Sequence, residues 1–220
     1  MGRPARRDGL RVRHDLLAPA AGLAGGGRVG LPAPPAAGTA ARCRQAGLEQ
    51  SLAGQRVCSG KKGGAATGPN PTDRGKAGTK RHVVVDGHGT PLGLTLSPAN
   101  RHDSKMLAAT LDAIPPVRRR RRPGGRPRRR PNKLHADKSY DHRFCRDDCR
   151  SQGIVPRIAR RGIEDSRRLG RHRWKAERTL AWMARFRRLT VRYERREDIH
   201  LAFTTLAAAL ICLNQIRRLC

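Results

Sequence analysis

The sequence predicts an α/β domain in which helices flank a mixed β-sheet. Three observations support this class: a pair of apolar strands joined by a tight turn, two further short apolar runs, and helical segments with one apolar face between and after them. The resulting order is strand, strand, helix, strand, helix, strand, helix, which is typical of layered α/β or α+β folds.

The first two strands form a predicted hairpin. The segment His82–Asp86 (HVVVD) is a short apolar run typical of a buried strand. A Gly-His-Gly turn follows, and Thr90–Leu96 is the expected partner strand.

A helix is predicted next, with Asp103 or Ser104 as its N-cap. Pro115 and Pro116 would end it, because proline lacks the backbone N–H that a helix needs. Its apolar face consists of Met106, Leu107, Leu111 and Ile114.

The second half of the chain supplies two more strands, each followed by a helix. Lys133–Asp137 is a short strand that ends in an acid, and a helix is expected from about Asp141 to Ser151. Ile154–Ile158 is another strand, whose Pro156 indicates a sheet edge. The last two predicted helices span about His172–Leu189 and Ile199–Leu213.

The chain divides near Gly60. Residues 1–60 are rich in Ala, Gly and Pro, show no periodicity from Leu16 onward and are expected to be disordered. Residues 61–220 form the predicted domain, interrupted by an Arg-rich loop at 118–131.

The charge of the chain indicates a nucleic-acid partner. Lys and Arg total 48 against 17 Asp and Glu, a net charge of +31, which no folded core requires. A disordered basic tail or an RNA-binding protein of the ribosomal type are the alternatives; the scarcity of aromatic residues (3%) argues against recognition of single strands by base stacking. The arginines expected on phosphates are Arg118, Arg119, Arg120, Arg121, Arg122, Arg126, Arg128, Arg129, Arg130, Arg178 and Arg185.

The cysteines and the apolar stretches bear on metal binding and location. Cys145 and Cys149, with His142 before them, are either half of a zinc site or two small residues on one helix face, and the second interpretation is favoured because no matching ligand pair follows. No secretory signal is visible, so a cytoplasmic, nucleoid-associated protein with free thiols is expected. The apolar stretch from Leu201 to Leu213 is interrupted by threonines and judged too short to cross a bilayer, so no membrane partner is expected.

Two carboxylates are candidates for chemistry. Asp137 ends a buried strand, where a side chain is well placed to hold a ligand or metal, although a helix N-cap or a surface acid is the simpler interpretation. On a helical wheel, Glu177 lies opposite the apolar arc and one turn after Arg173, so an exposed ion pair is its simpler interpretation.

Several sequence blocks together resemble the catalytic domain of an insertion-sequence transposase family of the DDE type. The blocks, in order from Lys61 to Cys220, are GPNPTDRGKAGTKRHVVVD, SPANRHDSKML, KLHADKSYD, IVPRIARRGIE, RHRWKAERTLAWMARFRRLTVRYERREDIHLAF and ALICLN. The resemblance implies a ribonuclease H-like fold, with Asp137 as the second catalytic acid, Glu177 as the third and Arg173 as an assisting cation. It also implies Mg²⁺ or Mn²⁺ held by Asp137 and Glu177, which activates a nucleophile for attack on phosphorus.

The first acid of the family is missing. It is expected on the first strand, a few residues before KKGG, yet there is no carboxylate between Glu49 and Thr72. Asp73 lies in a loop, and Asp86 is interpreted as a turn residue; either is an alternative first ligand. Codons shifted by one base would give helices and an Asp overlapping Gly54 and Gln55, so the segment before Lys61 is hypothesised to be translated out of frame, and the fold to lack its regular first strand.

The expected function is DNA transposition: binding of the ends of the element, then metal-dependent strand cleavage and transfer, with this copy inactive if the first acid is absent. The alternative is a non-catalytic DNA-binding remnant. Double-stranded DNA is the expected partner, and a homo-oligomer on DNA is expected by resemblance only.

Overall fold

The computed structural model describes residues 48–117, 127–163 and 166–217, with the backbone alone for 166–172, and its strands form one mixed sheet. The strand order is β2-β3-β1-β5-β6, with β4 paired to β3 and β7 paired to β1. The strands are β1 (Gln50–Gly60), β2 (Gly68–Pro69), β3 (Ala77–Asp86), β4 (Pro91–Pro98), β5 (Lys133–Ala136), β6 (Val155–Ile158) and β7 (Val191–Arg192). The predicted mixed sheet is confirmed.

Strand β1 corrects the prediction of disorder for Gln50–Gly60 and supplies the first strand that was expected to be missing, whereas residues 1–47, for which disorder was also predicted, lie outside the described residues. Gln50–Gly60 pairs antiparallel with β3 from Ser51↔Asp86 to Ser59↔Gly78, and parallel with β5 and β7. Its sequence, QSLAGQRVCSG, has little strand propensity of its own. The strand forms because neighbours on both sides satisfy its backbone, a long-range effect that local periodicity does not reveal.

The other strands follow the predictions closely. The hairpin is confirmed, with β3 antiparallel to β4 over Thr79↔Pro98 to Val85↔Pro91. Strand β3 begins earlier than expected, at Ala77. Strand β6 pairs parallel with β5 and ends the strand order, so the edge position indicated by Pro156 is also confirmed.

Helices cover both faces of the sheet. They are α1 (Leu107–Asp112), α2 (Arg143–Ser151), α3 (Ser166–Ala184), α4 (Arg187–Thr190) and α5 (Glu197–Arg217). One core cluster joins Ala53, Val84 and Leu134 to apolar residues of α1 and α2. The other joins Leu52, Val83 and Val85 to α3 and α5. Neighbouring residues of one strand thus enter opposite cores, as the two-residue period of a strand requires.

Three details differ from the predicted helices. The long helix ends at Ala184, and Arg187–Thr190 form a separate turn. Asp103 and Ser104 do not cap the first helix: the N-cap residue of the 3-10 turn Asp103–Met106 is His102, and Asp103 is drawn away into an ion pair with Lys80. Helix α5 extends beyond Leu201–Leu213 at both ends and is, by length and composition, long enough to cross a membrane. Its buried residues pack in the core against α3 and the sheet.

The Cys145–Cys149 pair belongs to the core. Both thiols are buried on α2, and burial raises their pKa values to about 12 and about 11. Within residues 48–117, 127–163 and 166–217, no group of three or more His, Cys, Asp or Glu side chains could hold a metal ion. Both side chains lie on the buried face of α2, as expected for two small residues on one helix face.

The buried Arg192 joins β7 to the loop after β1. Its guanidinium donates hydrogen bonds only to neutral oxygens: the carbonyls of Ala65, Ala66, Glu194 and Arg195 and the hydroxyls of Thr67 and Thr79. The loop approaches this region closely, since a Cβ on Gly64 would lie 2.2 Å from the Arg195 carbonyl oxygen. One side chain therefore fixes the end of β1 relative to the start of α5.

We expect Arg192→Lys to lower the free energy of unfolding by about 2–3 kcal/mol, because an ammonium cannot reach acceptors spread over this distance and leaves carbonyls without donors. Urea denaturation followed by circular dichroism measures the change. Arg56→Lys, on an exposed position of β1, is the matched control and should change stability little. Equal stabilities of the two variants would contradict the role given to Arg192.

Histidine 82 makes stability depend on pH. Its ring is buried and hydrogen-bonded to Ser97 (Nε2 to Oγ, 2.8 Å), and burial lowers its pKa from 6.5 to about 4. The unfolded chain takes up this proton below pH 6.5 and the folded chain only below about pH 4. The stability that depends on the neutral form of His82 is therefore fully present above pH 6.5. As the pH falls towards 4, about 3 kcal/mol of the free energy of unfolding is lost.

We expect His82→Gln to flatten the loss of stability between pH 6.5 and about 4, whatever its effect at neutral pH. Thermal unfolding at several pH values measures the slope. His200 is also buried with a lowered pKa and stays in both proteins, so the difference between the two slopes reports His82 alone. Identical slopes would refute the assignment.

Candidate active site

Asp137 lies where β5 ends, as predicted. Its backbone is extended, and its Oδ1 accepts a hydrogen bond from the Lys138 N–H (2.6 Å), so the carboxylate caps the short turn Lys138–Tyr140. The cap holds one carboxylate oxygen at a defined point on the sheet edge while the side chain remains partly exposed. The simpler interpretation of Asp137 as an N-cap is therefore correct, and this role is compatible with the catalytic role that the resemblance implies.

Arg173 joins Asp137 to Glu177. Its Nη1 lies 3.2 Å from Asp137 Oδ1, and its Nη2 lies 3.0 Å from Glu177 Oε1 one turn later on α3. All three side chains have access to solvent, so these ion pairs contribute at most about 1 kcal/mol each. The structure thus brings together the three residues proposed from sequence, with a cation between the two acids.

Gly54 lies beside Asp137 on the neighbouring strand. The parallel pairing Leu52↔His135, continued by two residues, brings position 54 level with Asp137. A Cβ at Gly54 would lie 3.1 Å from the Cβ of Ala176 and 3.3 Å from Leu180 Cδ1, so a side chain there would point towards α3. Asp137 reaches the same helix through Arg173. A carboxylate at position 54 would therefore lie level with Asp137 and face the helix that carries Glu177.

Gln55 points to the opposite face of β1. Its Nε2 donates to Asp103 Oδ2 (2.9 Å), and its Oε1 accepts from the Tyr140 hydroxyl (3.4 Å). Asp103 also pairs with Lys80 (2.9 Å). Of the two positions that the shifted codon overlaps, only Gly54 faces the acid pair.

The two alternative first acids are engaged elsewhere. Asp86 is buried at the hairpin turn, where its Oδ1 accepts from the backbone N–H groups of His88 and Thr90 (both 2.8 Å), so its interpretation as a turn residue is confirmed. Asp73 lies in the loop before β3 and pairs with Lys76 at 3.2 Å.

Among the residues that the structure describes, those around Asp137 do not fit the two-ion site that the resemblance implies. Such a site needs three carboxylates around the ions. Here two carboxylates share one arginine, and the neighbouring strand position carries no side chain. Asp137 and Glu177 alone therefore do not provide the ligands that a two-ion site requires.

The predicted DNA-binding arginines fall into three groups. Arg118–Arg122 and Arg126 lie outside the described residues. Arg129 and Arg185 are exposed. The others have partners within the chain: Arg128 donates to Asn132 Oδ1, Arg130 to the Leu111 carbonyl (2.8 Å) and to Asp112, and Arg178 to the His88 carbonyl (2.6 Å).

Arg178 is held on both sides by tryptophan rings. Its guanidinium carbon lies 4.6 Å from the centroid of the Trp174 ring and 4.7 Å from that of Trp182. Together with the hydrogen bond to His88, this arrangement ties α3 to the β3–β4 turn. Cation–π contact of this kind contributes about 0.5–1 kcal/mol at exposed sites.

Sequence reasoning missed a cation next to Asp137. Arg161 is exposed, and its Nε donates to the Lys138 carbonyl (3.2 Å). Its backbone N–H donates to Asp141 Oδ2 (2.8 Å), which anchors the segment after β6 and lowers the pKa of Asp141. Arg161 therefore lies beside the turn that Asp137 caps, and Arg173 pairs with Asp137 directly. Arg161 belongs to the IVPRIARRGIE block, but the sequence does not show where this block lies relative to Asp137.

Residues 47–212 match the family described as "Transposase DDE domain". A protein of Burkholderia cepacia described as "Putative transposase for insertion sequence element IS402" is 45% identical over 212 residues, which cover 95% of this chain and 98% of that protein. The catalytic core domain of BIV integrase is similar with a TM-score of 0.39 and 14% identity, over 74% of this chain and 82% of that one.

The extent of these matches bears on the start of the domain. The family match begins at residue 47 and so includes β1. Because the curated relative aligns over 95% of this chain, most residues before Lys61 have a counterpart there. The out-of-frame origin of that segment stays a prediction, which the nucleotide sequence of the gene would test.

We expect Gly54→Asp to create a divalent-metal site with Asp137 and Glu177. Without metal, the variant should be less stable than the parent by about 1–3 kcal/mol, because the new side chain presses on Ala176 and Leu180 and adds a like charge. Millimolar Mn²⁺ or Mg²⁺ should raise its melting temperature, while the parent should respond little. Differential scanning calorimetry with and without metal measures both effects.

Gly54→Asn is the matched control, since it fills the same space without the charge and should show no response to metal. Adding Ala176→Gly removes the Cβ nearest to position 54 and serves as a second background if Gly54→Asp alone unfolds. A metal response in the parent equal to that in Gly54→Asp would contradict this assignment of the missing acid.

Proposed function

This chain belongs to the DDE transposase family, and on that premise we propose that it binds double-stranded DNA at the ends of its element without cleaving it. The activity of the family is DNA transposition, in which strands are cleaved and transferred, and its fold is ribonuclease H-like. The observation that carries the proposal is the geometry around Asp137: Asp137 and Glu177, the residues proposed as the second and third acids, share Arg173, and the neighbouring strand carries Gly54 at the position proposed for the first acid.

The proposal that the chain binds DNA is supported by its net charge and by the positions of its basic residues. The net charge is +31, and the acid pair lies among Lys138, Arg161 and Arg173. Phosphates near the acids would therefore meet cations rather than an unscreened negative surface. In this proposal the exposed Arg129 and Arg185 and the Arg-rich segment from 118 contact phosphates, and these contacts position the protein on the duplex without reading its base sequence.

The absence of cleavage follows from the number of carboxylates. A metal ion is needed both to activate the attacking oxygen and to stabilise the leaving oxygen. Two carboxylates that share one arginine bind such ions weakly, because the guanidinium competes for the same oxygens. We therefore place this protein among DNA-binding members of the family with an incomplete centre, acting on nucleoid DNA in the cytoplasm.

An active transposase is the second candidate function. It is favoured by the retained Asp137–Arg173–Glu177 arrangement, which has the side chains expected for the second and third acids and their cation. It requires Mg²⁺ or Mn²⁺ and a first acid from elsewhere in the chain. The engagement of Asp86 in the hairpin turn and of Asp73 with Lys76 argues against both as donors.

Duplex DNA carrying the element's ends should bind the chain with a steep dependence on salt. If about six phosphates are contacted, the affinity should fall by about 10³-fold between 50 and 200 mM salt. Fluorescence anisotropy of a labelled duplex measures the change. Asp137→Asn with Glu177→Gln should bind at least as tightly as the parent, because these acids repel phosphate. Weaker binding by that variant would contradict this expectation and would mean that Asp137 and Glu177 keep Arg173 in the position in which it contacts DNA.

Nicking of a supercoiled plasmid that carries the element's ends separates the two candidate functions. In the presence of Mg²⁺ or Mn²⁺ we expect no nicking by the chain as it is, and nicking by a version whose reading frame before Lys61 is restored. Asp137→Ala or Glu177→Ala should abolish nicking by the restored version. Metal-dependent nicking by the unaltered chain that is lost in Asp137→Ala would overturn the proposal in favour of the active enzyme.

A further inference from the structure

Helix α5 has a second apolar face, directed away from the core. Its inner face is buried through residues such as Ala207 and Ile211. On the outer face, Ile199, Leu206 and Leu213 are 40%, 57% and 40% exposed. Ala202 and Ala209, which lie between them, are exposed as well. Nothing in residues 48–117, 127–163 or 166–217 covers this outer face.

The exposed residues have the spacing of a helix–helix contact. Ile199, Leu206 and Leu213 stand seven residues apart, and Ala202 and Ala209 stand three residues after the first two. A repeat of three and four residues forms a straight seam along a helix, which is the a/d pattern of paired helices. Ile216, half-buried at the C-terminal end, occupies the next position of this seam.

The composition of the segment is unusual for this chain. Charged residues make up 30% of the sequence, yet the interval from Ile199 to Ile216 contains no Asp, Glu, Lys or Arg. Its one ionisable imidazole, His200, is buried and points inwards to Glu194 (3.2 Å). An exposed apolar surface of this kind on a highly charged protein indicates a contact with another apolar surface.

We infer that the outer face of α5 is the surface through which two copies of this chain pair, with their α5 helices antiparallel. In an antiparallel pair each a position meets a d position of the other helix. Aligning Ile199 with Ile216 of the second copy puts Leu206 opposite the second copy's Ala209 and Leu213 opposite the second copy's Ala202. Each large side chain then packs on a small one, which allows close approach of the helices.

Charge favours the same orientation. Asp198 stands at the start of the seam, where it also forms an exposed ion pair with Arg196 of its own chain (2.5 Å), and the exposed Arg217 stands at the end. The antiparallel alignment puts Asp198 of each copy opposite Arg217 of the other. A parallel pair would put like charges together at both ends, Ala opposite Ala and Leu opposite Leu, leaving gaps at the alanine layers.

The net charge of +31 per copy opposes self-association at low salt, so pairing should strengthen as salt is added. DNA binding should weaken with salt. This opposite dependence separates the pairing from DNA binding, and the inference does not depend on whether the chain binds or cleaves DNA.

Sedimentation equilibrium of the full chain, free of DNA and in about 0.5 M NaCl, where exposed charges are screened within a few ångströms, tests the inference. We expect a reversible dimer. Leu206→Glu should raise its dissociation constant at least about tenfold, because it places two carboxylates in the central apolar layer. Leu206 is 57% exposed, so the fold should be unaffected, as circular dichroism can verify.

Asn214→Glu adds the same charge on an exposed position outside the seam and should leave the dimer almost unchanged. Asp198→Arg should weaken the dimer, and adding Arg217→Asp should restore it, whereas a parallel pair would not show this reversal. The inference is overturned if the parent chain is monomeric at high salt, or if Leu206→Glu and Asn214→Glu have equal effects. It is also overturned if the monomeric chain instead co-sediments with neutral phosphatidylcholine vesicles.

Discussion

The pairing of β1 with its neighbours is the constraint on which the rest of the structure depends. Its backbone is hydrogen-bonded to β3 on one side and to β5 and β7 on the other, and its side chains enter both cores: Leu52 packs towards α3 and α5, and Ala53 towards α1 and α2. Because the pleat alternates, the same register that buries Leu52 directs position 54 towards α3 and brings it level with Asp137. The stability of the fold and the composition of the candidate active site are thus consequences of one strand.

The fold forms without a carboxylate at position 54 of β1. Glycine at position 54 removes no backbone hydrogen bond from β1, and α3 packs against the strand with Ala176 and Leu180 close to the space that a side chain would occupy. The acids that remain are stabilised by a cation, since Arg173 links Asp137 and Glu177. An arginine can balance these charges without any ion, so the fold does not require a carboxylate at position 54. This explains how a sequence similar to a transposase retains the architecture with glycine at this position.

The basic residues serve two different purposes. Arg192, buried and bonded to neutral oxygens, and Arg178, held between two tryptophan rings, organise the chain internally. Arg129, Arg161 and Arg185 are exposed, where phosphates can reach them. Composition alone assigns the whole excess of +31 to a nucleic-acid partner, and the structure shows that part of the arginine content is structural. The outer face of α5 is the opposite case, an uncharged surface on a basic protein.

The sequence by itself determined the element order, the hairpin, the edge position of β6, the apolar arc of α3 and the family. Each depends on local periodicity or on short motifs that are visible in the sequence itself. It also identified Asp137, Glu177 and Arg173, and the structure brings these three together. Only the tertiary structure revealed β1, because QSLAGQRVCSG becomes a strand through long-range pairing and not through its own propensity. Only the tertiary structure showed that Gly54 and Gln55 face opposite sides of the sheet. It also showed that Asp103 pairs with Lys80 instead of capping a helix, and that Arg161 donates to the Lys138 carbonyl, next to Asp137. These outcomes depend on which residues meet across the sheet, and that information lies in the register of paired strands rather than in the sequence of any one of them.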